Sequence, residues 1–239
     1  ETRQALLEAS LRNAPRPVYV GNPDIDLMMR HHDAYVTELR QAGLEVSVLD
    51  ALEEFPDSLF VEDTALCVRE GAVVLRPGAP SRFGESMAMA PHLKDLYSDV
   101  RHLAGPGFIE GGDILTTESE ILVGKSDRTN TAGIEELQRA VADWGYTVRE
   151  VRTPPGVLHF KSDCSLLDGS TILSTPRLGA TGCFEGYTVI DVAEGEEPAA
   201  NSIRVNDVVF MPSGFPVTAQ RVRTAGFVVI ELENSECQK

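Results

Sequence analysis

GGDILTTESEILVGKSDRTN, residues 111–130, opens on glycines and an acid and runs through a short apolar stretch. It turns on polar residues, returns through a second apolar stretch and leaves through polar turn formers. Those are the signals of a β-hairpin. The same plan recurs in EDTALCVREGAVVLRPGAPSR (62–82), KSDCSLLDGSTILSTPRLGA (161–180) and AANSIRVNDVVFMPSGFP (199–216). The polar residues that open the four hairpins are Asp63, Asp113, Asp163 and Asn201.

A helix and then a strand are expected around these hairpins. Residues 23–42 start at Pro23, carry Leu27, Met28, Tyr35, Val36 and Leu39 at near-helical spacing, and stop at Gly43. EVSVL (45–49) then reads as a strand. Residues 130–144, with Ile134, Leu137, Val141 and Trp144, repeat the plan before Gly145 and YTVREV. Residues 216–225 do so before Gly226 and FVVIEL. After the third hairpin the link is short and glycine-bearing, and no helix is assigned.

The unit is strand–strand–helix–strand, roughly 40–50 residues long, a period that signals a repeat architecture. A doubly wound sheet also alternates strands and helices, but it requires no hairpin in every unit. The expectation is an α/β ring, one domain over residues 1–239, whose hairpin openings converge on one centre. Continued spacing places a fifth opening near position 245, beyond Lys239. The first and last strands of the ring are therefore expected outside the given sequence.

The composition sets outer bounds. With 42% apolar and 24% charged residues, the 239-residue chain suits a globular domain with a substantial core. Its 21 basic against 37 acidic residues give a net charge of −16. That disfavours nucleic acid and anionic membrane as partners, which require basic surface. No stretch reaches the roughly 18 apolar residues of a membrane span. The four cysteines, Cys67, Cys164, Cys183 and Cys237, form no CxxC pair, so neither a disulfide framework nor a zinc site is expected, and a cytoplasmic setting is. Expected partners are a small-molecule substrate and, at most, a second copy of the chain.

The residues capable of chemistry gather at the openings. FPDSLFVEDTALC (55–67) holds Asp57, Glu62 and Asp63 among Phe55, Leu59, Phe60 and Val61, and carboxylates beside apolar surface need a cation or hydrogen-bond donors. Glu110 precedes two glycines, which allow close backbone approach, although a glycine-rich turn with a solvated acid has the same pattern. His159 lies just before the third opening and titrates near neutrality, but a buried structural histidine would look alike. Arg82 and Arg128 follow returning strands at matching places, where a guanidinium fork could take a carboxylate or simply face solvent. Acids for a cation and arginines for a carboxylate describe a site for an amino-acid-like zwitterion. Mg²⁺ or Ca²⁺ is the competing use of clustered acids.

FPDSLFVED, RPGAPSR, EGGDI, VGKSDRTN, LHFKSDCS and AANSIRVN, in this order and spacing, resemble the dimethylarginine dimethylaminohydrolases. The resemblance runs from about residue 22 to 238 and is most specific over 55–165. It implies the pentein fold, a five-bladed α/β propeller with pseudo-fivefold symmetry. It further implies hydrolysis of N-omega-methylated arginine (asymmetric dimethylarginine or monomethylarginine) to citrulline plus dimethylamine or methylamine. The route implied is a covalent thiouronium on a cysteine, with no metal or organic cofactor. By the same resemblance Asp63 and Glu110 hold the guanidinium, Asp57 the α-amino group, and Glu62 and Phe60 shape the wall. Arg82 and Arg128 take the α-carboxylate, and His159 is the general acid/base. The family's nucleophile sits on a last strand about ten residues beyond the SEC of this chain, so it is expected past residue 239, and Cys237 is not nominated. Residues 1–21 match poorly, which leaves the lid unassigned. A related hydrolase or deiminase of arginine or N-hydroxyarginine, and a non-catalytic methylarginine-binding protein, are the alternatives.

Overall fold

The computed structural model of the chain describes residues 22–55, 57–118 and 120–238. All four hairpins form, and each gains a third strand in parallel. The first sheet is β1 (Ala65–Val68), β2 (Gly71–Val74) and β3 (Val100–His102). The second is β4 (Ile114–Thr116), β5 (Glu120–Lys125) and β6 (Thr147–Arg152). The third is β7 (Cys164–Leu166), β8 (Thr171–Ser174) and β9 (Thr188–Asp191). The fourth is β10 (Ile203–Val205), β11 (Val208–Pro212) and β12 (Val228–Leu232). In every sheet the returning hairpin strand is central, so it is the one buried on both faces.

That burial explains the apolar runs of the central strands. Side chains alternate across a strand, and in β5 Ile121 and Val123 enter one cluster while Leu122 enters the next. In β8, Ile172 and Leu173 divide in the same way between neighbouring clusters. The core is thus a series of interlayers between consecutive units rather than one centre.

One helix precedes the first hairpin, and the others link central and third strands. α1 (Ile25–Gln41) is capped by Asp24, whose carboxylate accepts the Leu27 N–H at 2.9 Å, and Gly43 follows it at φ +93°. It packs against the fourth sheet, with Tyr35 edge-on to Phe210 at 6.5 Å between ring centres. The Asp24 N–H also donates to the Glu236 carboxylate, and the Asn206 amide to the Ala42 carbonyl. α2 (Phe83–Leu96) covers the first sheet. α3 (Thr131–Val141), capped by Asn130, and α5 (Pro216–Thr224) match the expected helices. The link left without a helix contains one turn, α4 (Pro176–Gly179), started by the Thr175 cap and Pro176.

Two expectations are corrected. EVSVL forms no strand: residues 45–49 are half to fully exposed and pair with no described strand, and an extended segment becomes a strand only through its ladder. The four openings do not share one environment either. Asp63, Asp113 and Asp163 are buried, whereas Asn201 is exposed. Each opening lies in or directly follows a single 3₁₀ turn (Val61–Thr64, Gly111–Asp113, Phe160–Ser162 and Glu197–Ala200). Successive turns touch, each covering the one before, and no described unit follows the fourth. The described residues supply four units. The lid expected from residues 1–21 lies outside the described residues.

Candidate active site

The segments around three consecutive openings meet at one place. Asp63 closes onto the second unit, its Oδ1 accepting the Gly112 N–H at 2.7 Å. The ring of His159 lies against the same glycine: a Cβ there would stand 2.8 Å from His159 Cγ and 2.9 Å from Asp63 Oδ1. Only a hydrogen side chain leaves room for both groups. Residues 63, 110 and 159 are 47 and 49 apart in sequence, and the repeat alone brings them together.

Glu110 is the pivot of the site. It is fully buried, and its Oε1 accepts N–H groups from Gly78 at 3.0 Å and Ala79 at 3.2 Å. Its Oε2 lies 2.8 Å from Nε2 of His159, and Arg128 Nη1 approaches both oxygens at 3.4 Å. Burial alone would lift the Glu110 pKa, but His159 and Arg128 overcome it and hold the carboxyl below its usual range. Burial likewise disfavours charge on His159. The Glu110 hydrogen bond and the charges of Asp63, Asp113 and Glu110 outweigh that and raise its pKa. Both shifts favour an imidazolium beside a carboxylate. Among the described residues Nδ1 of His159 has no hydrogen-bond partner, so that edge of the ring is open.

The remaining expected residues divide. Asp57 is half-buried and Phe60 is exposed, both on the loop before Val61–Thr64. Glu62 is exposed and pairs with Lys161 at 2.6 Å. Arg128 keeps about a quarter of its side chain accessible, on the turn after β5. Arg82, expected to face a ligand, is only 3% exposed. Its Nη1 donates to Asp63 Oδ2 at 2.6 Å, and Nε and Nη2 donate to Glu85 Oε2 at 2.9 and 2.7 Å. Nη2 also reaches the carbonyls of Asp57 and Phe60. This leaves at most one Nη1–H for a ligand. Glu85 and Lys161 escaped the sequence reading. Glu85 sits three residues after Arg82, a helical ion-pair spacing, but it precedes no motif; Lys161 of the third unit meets Glu62 of the first only in the folded chain.

One ligand atom each from Asp63, Glu110 and His159 lies within 4.8 Å of the others, a spacing that could surround a small cation. The same spacing suits a planar guanidinium, which presents several N–H donors to carboxylates.

None of the four thiols has the surroundings of a thiolate. Cys164 and Cys183 are buried while Cys67 and Cys237 are exposed, yet partial desolvation pushes all four pKa values upward, most strongly for Cys164, whereas an attacking cysteine needs a lowered one.

The family model described as N,N dimethylarginine dimethylhydrolase, eukaryotic, matches residues 23–159. The N(G),N(G)-dimethylarginine dimethylaminohydrolase of Pseudomonas aeruginosa is 33% identical over 222 residues, 92% of this chain and 87% of the relative. A solved mutant of the enzyme from that organism, complexed with citrulline, superimposes with a TM-score of 0.92 at 32% identity, covering 98% of this chain and 90% of its own. A dimethylarginine dimethylaminohydrolase in adduct with S-methyl-L-thiocitrulline gives 0.91 at 31% identity, with 98% and 91% covered.

Proposed function

The chain belongs to the dimethylarginine dimethylaminohydrolases, a family of hydrolases, and from that premise we propose that it hydrolyses N-omega-methylated arginine to citrulline and a methylamine. The observation that carries this reading is the buried Glu110 held 2.8 Å from His159 with Asp63 alongside. Two buried carboxylates grip the guanidinium, and their field is strong because little water reaches them. Arg128 takes the α-carboxylate, with the spare Nη1–H of Arg82 beside it. Asp57 takes the α-ammonium, and Phe60 and Glu62 form the mouth. The fold proposed is the five-bladed propeller, with the four described units as four of its blades.

The reaction is a double displacement. A cysteine thiolate attacks the guanidinium carbon, a C–S bond forms, and the bond to the methylated nitrogen breaks as His159 protonates the departing amine. Water then attacks the thiouronium carbon, His159 takes its proton, and the C–S bond breaks to release citrulline and thiolate. None of the four thiols of the given sequence, whose pKa values are pushed upward, is nominated as this nucleophile. The setting proposed is a small-molecule site in a cytoplasmic protein.

Purified protein, checked by intact mass and C-terminal peptide sequencing, should convert asymmetric dimethylarginine to citrulline and dimethylamine. It should turn over arginine and N-hydroxyarginine far more slowly. Equal rates on all three would sink the narrow substrate assignment. Binding of methylarginine without citrulline, in a chain that carries a further cysteine, would sink the hydrolase and leave a binding protein.

A further inference from the structure

Asp113 occupies in the second unit the place that Asp63 occupies in the first, yet it is fully buried and touches no accessible part of the site. Its partners are unusual in where they lie. Oδ1 accepts the Phe160 N–H at 2.8 Å, the peptide immediately after His159. Oδ2 accepts the Ser126 hydroxyl at 2.6 Å, and Ser126 Oγ in turn accepts the Arg128 N–H at 3.0 Å. The Thr129 side chain also hydrogen-bonds Asp113, while Thr129 Oγ1 accepts the Glu110 N–H at 3.1 Å. One carboxylate thus holds the backbone or a close neighbour of His159, Arg128 and Glu110.

The third unit shows that the repeat does not impose this arrangement. Asp163 stands at the matching position, but its carboxylate is taken by Thr175 and Arg177, neither of which adjoins a residue of the site.

We propose that Asp113 is a positioning residue of the active site, setting the His159–Glu110 contact and the placement of Arg128 together without touching the substrate. The inference rests on the methylarginine hydrolase reading for its kinetic consequence, but not for its structural one. Asparagine keeps the shape and can still accept the Phe160 N–H, so Asp113→Asn should preserve the arrangement. Asp113→Ala releases all three tethers. A displacement of about 1 Å at a catalytic group lowers a rate by roughly 10²-fold.

The test pairs crystal structures with kinetics for wild type, Asp113→Asn and Asp113→Ala. In Asp113→Ala the His159 Nε2 to Glu110 Oε2 distance should lengthen beyond hydrogen-bonding range and kcat fall by roughly 10²-fold, with a smaller change in KM. Asp113→Asn should restore the distance and most of kcat. If Asp113→Ala is folded, keeps the 2.8 Å contact and retains kcat, the proposal is overturned. Wild type inactive on methylarginine would refute the hydrolase reading, and the crystallographic distance would still decide the role of Asp113. Where Asp113→Ala fails to fold, Asp113→Ser keeps one acceptor and takes its place, with the same distance deciding.

Discussion

Glu110→Gln changes one atom and should disable the site through a tautomer. The two N–H donors of Gly78 and Ala79, at 3.0 and 3.2 Å from Oε1, fix where the amide oxygen of a glutamine must lie. Its NH₂ then falls at the position of Oε2, 2.8 Å from Nε2 of His159. An amide nitrogen only donates, so Nε2 must be bare and the proton must sit on Nδ1 of a neutral ring. On the proposed reading the imidazolium that protonates the leaving amine loses its partner, and its pKa falls back toward the ordinary histidine value. General acid–base catalysis contributes roughly 10²–10⁴-fold to a rate, and kcat should drop within that span. Rapid-quench measurement of dimethylamine release gives the rate. Titration of the His159 ring by NMR follows the proton directly, and circular dichroism confirms the fold. A variant within tenfold of wild type, or one whose His159 still titrates as in the parent, would refute the reasoning.

Gly112→Ala should act on the same ring by contact. A Cβ at 2.8 Å from His159 Cγ must be relieved to about 3.5 Å, so kcat should fall by about tenfold or more, with a loss of stability near 1–3 kcal/mol from overpacking; unchanged kinetics in a folded protein would place His159 elsewhere. Arg128→Ala should raise KM by about tenfold, the lower end of what a charged hydrogen bond contributes, and leave kcat nearly intact; substrate binding equal to the parent's would remove Arg128 from the carboxylate. The ion pair also predicts a pH signature. The raised pKa of His159 means its contribution is complete below the ordinary value near 6.5 and is lost as pH rises through the folded value. The lowered pKa of Glu110 means its share is complete above its unfolded value and is lost as pH falls through the folded one. The Tm gap between wild type and Glu110→Gln should therefore be widest in mildly acidic buffer and narrow as pH rises past His159. A gap constant with pH would contradict the pairing.

Hairpins were legible because alternation, turn residues and central-strand apolar runs such as EILVG agree at every level. EVSVL was not, because β-patterning states a capacity for pairing and says nothing of whether a partner lies alongside. The one-turn helix at Pro176 was hidden by its length, too short for any periodicity. Of the site, the acids and His159 could be placed near one another from the repeat, while their roles came only with the family pattern. Arg82 shows the limit of that route. Its match to Arg128 in the repeat was visible, but the two differ in burial, because Glu85 on α2 and Asp63 enclose one and solvent borders the other. Nothing within the motif RPGAPSR encodes that difference.

The question posed by the acids of residues 55–67 has a two-part answer. In the free protein they meet the chain's own cations: Asp63 meets Arg82, Glu62 meets Lys161, and Glu110 of the next unit meets His159 and Arg128. Buried Glu110 thus has cationic neighbours before any ligand arrives, and they hold its pKa down in spite of its burial. On the proposed reading a guanidinium enters as a further cation against Asp63 and Glu110, and a positive charge beside an imidazolium disfavours the protonated ring. Binding therefore lowers the hold of His159 on its proton at the step where that proton must leave for the amine. Citrulline is neutral at the same position and restores the hold. The resting ion pair and the substrate's charge then act in opposite directions on one ring, and the proton moves out and back as the guanidinium charge arrives and disappears.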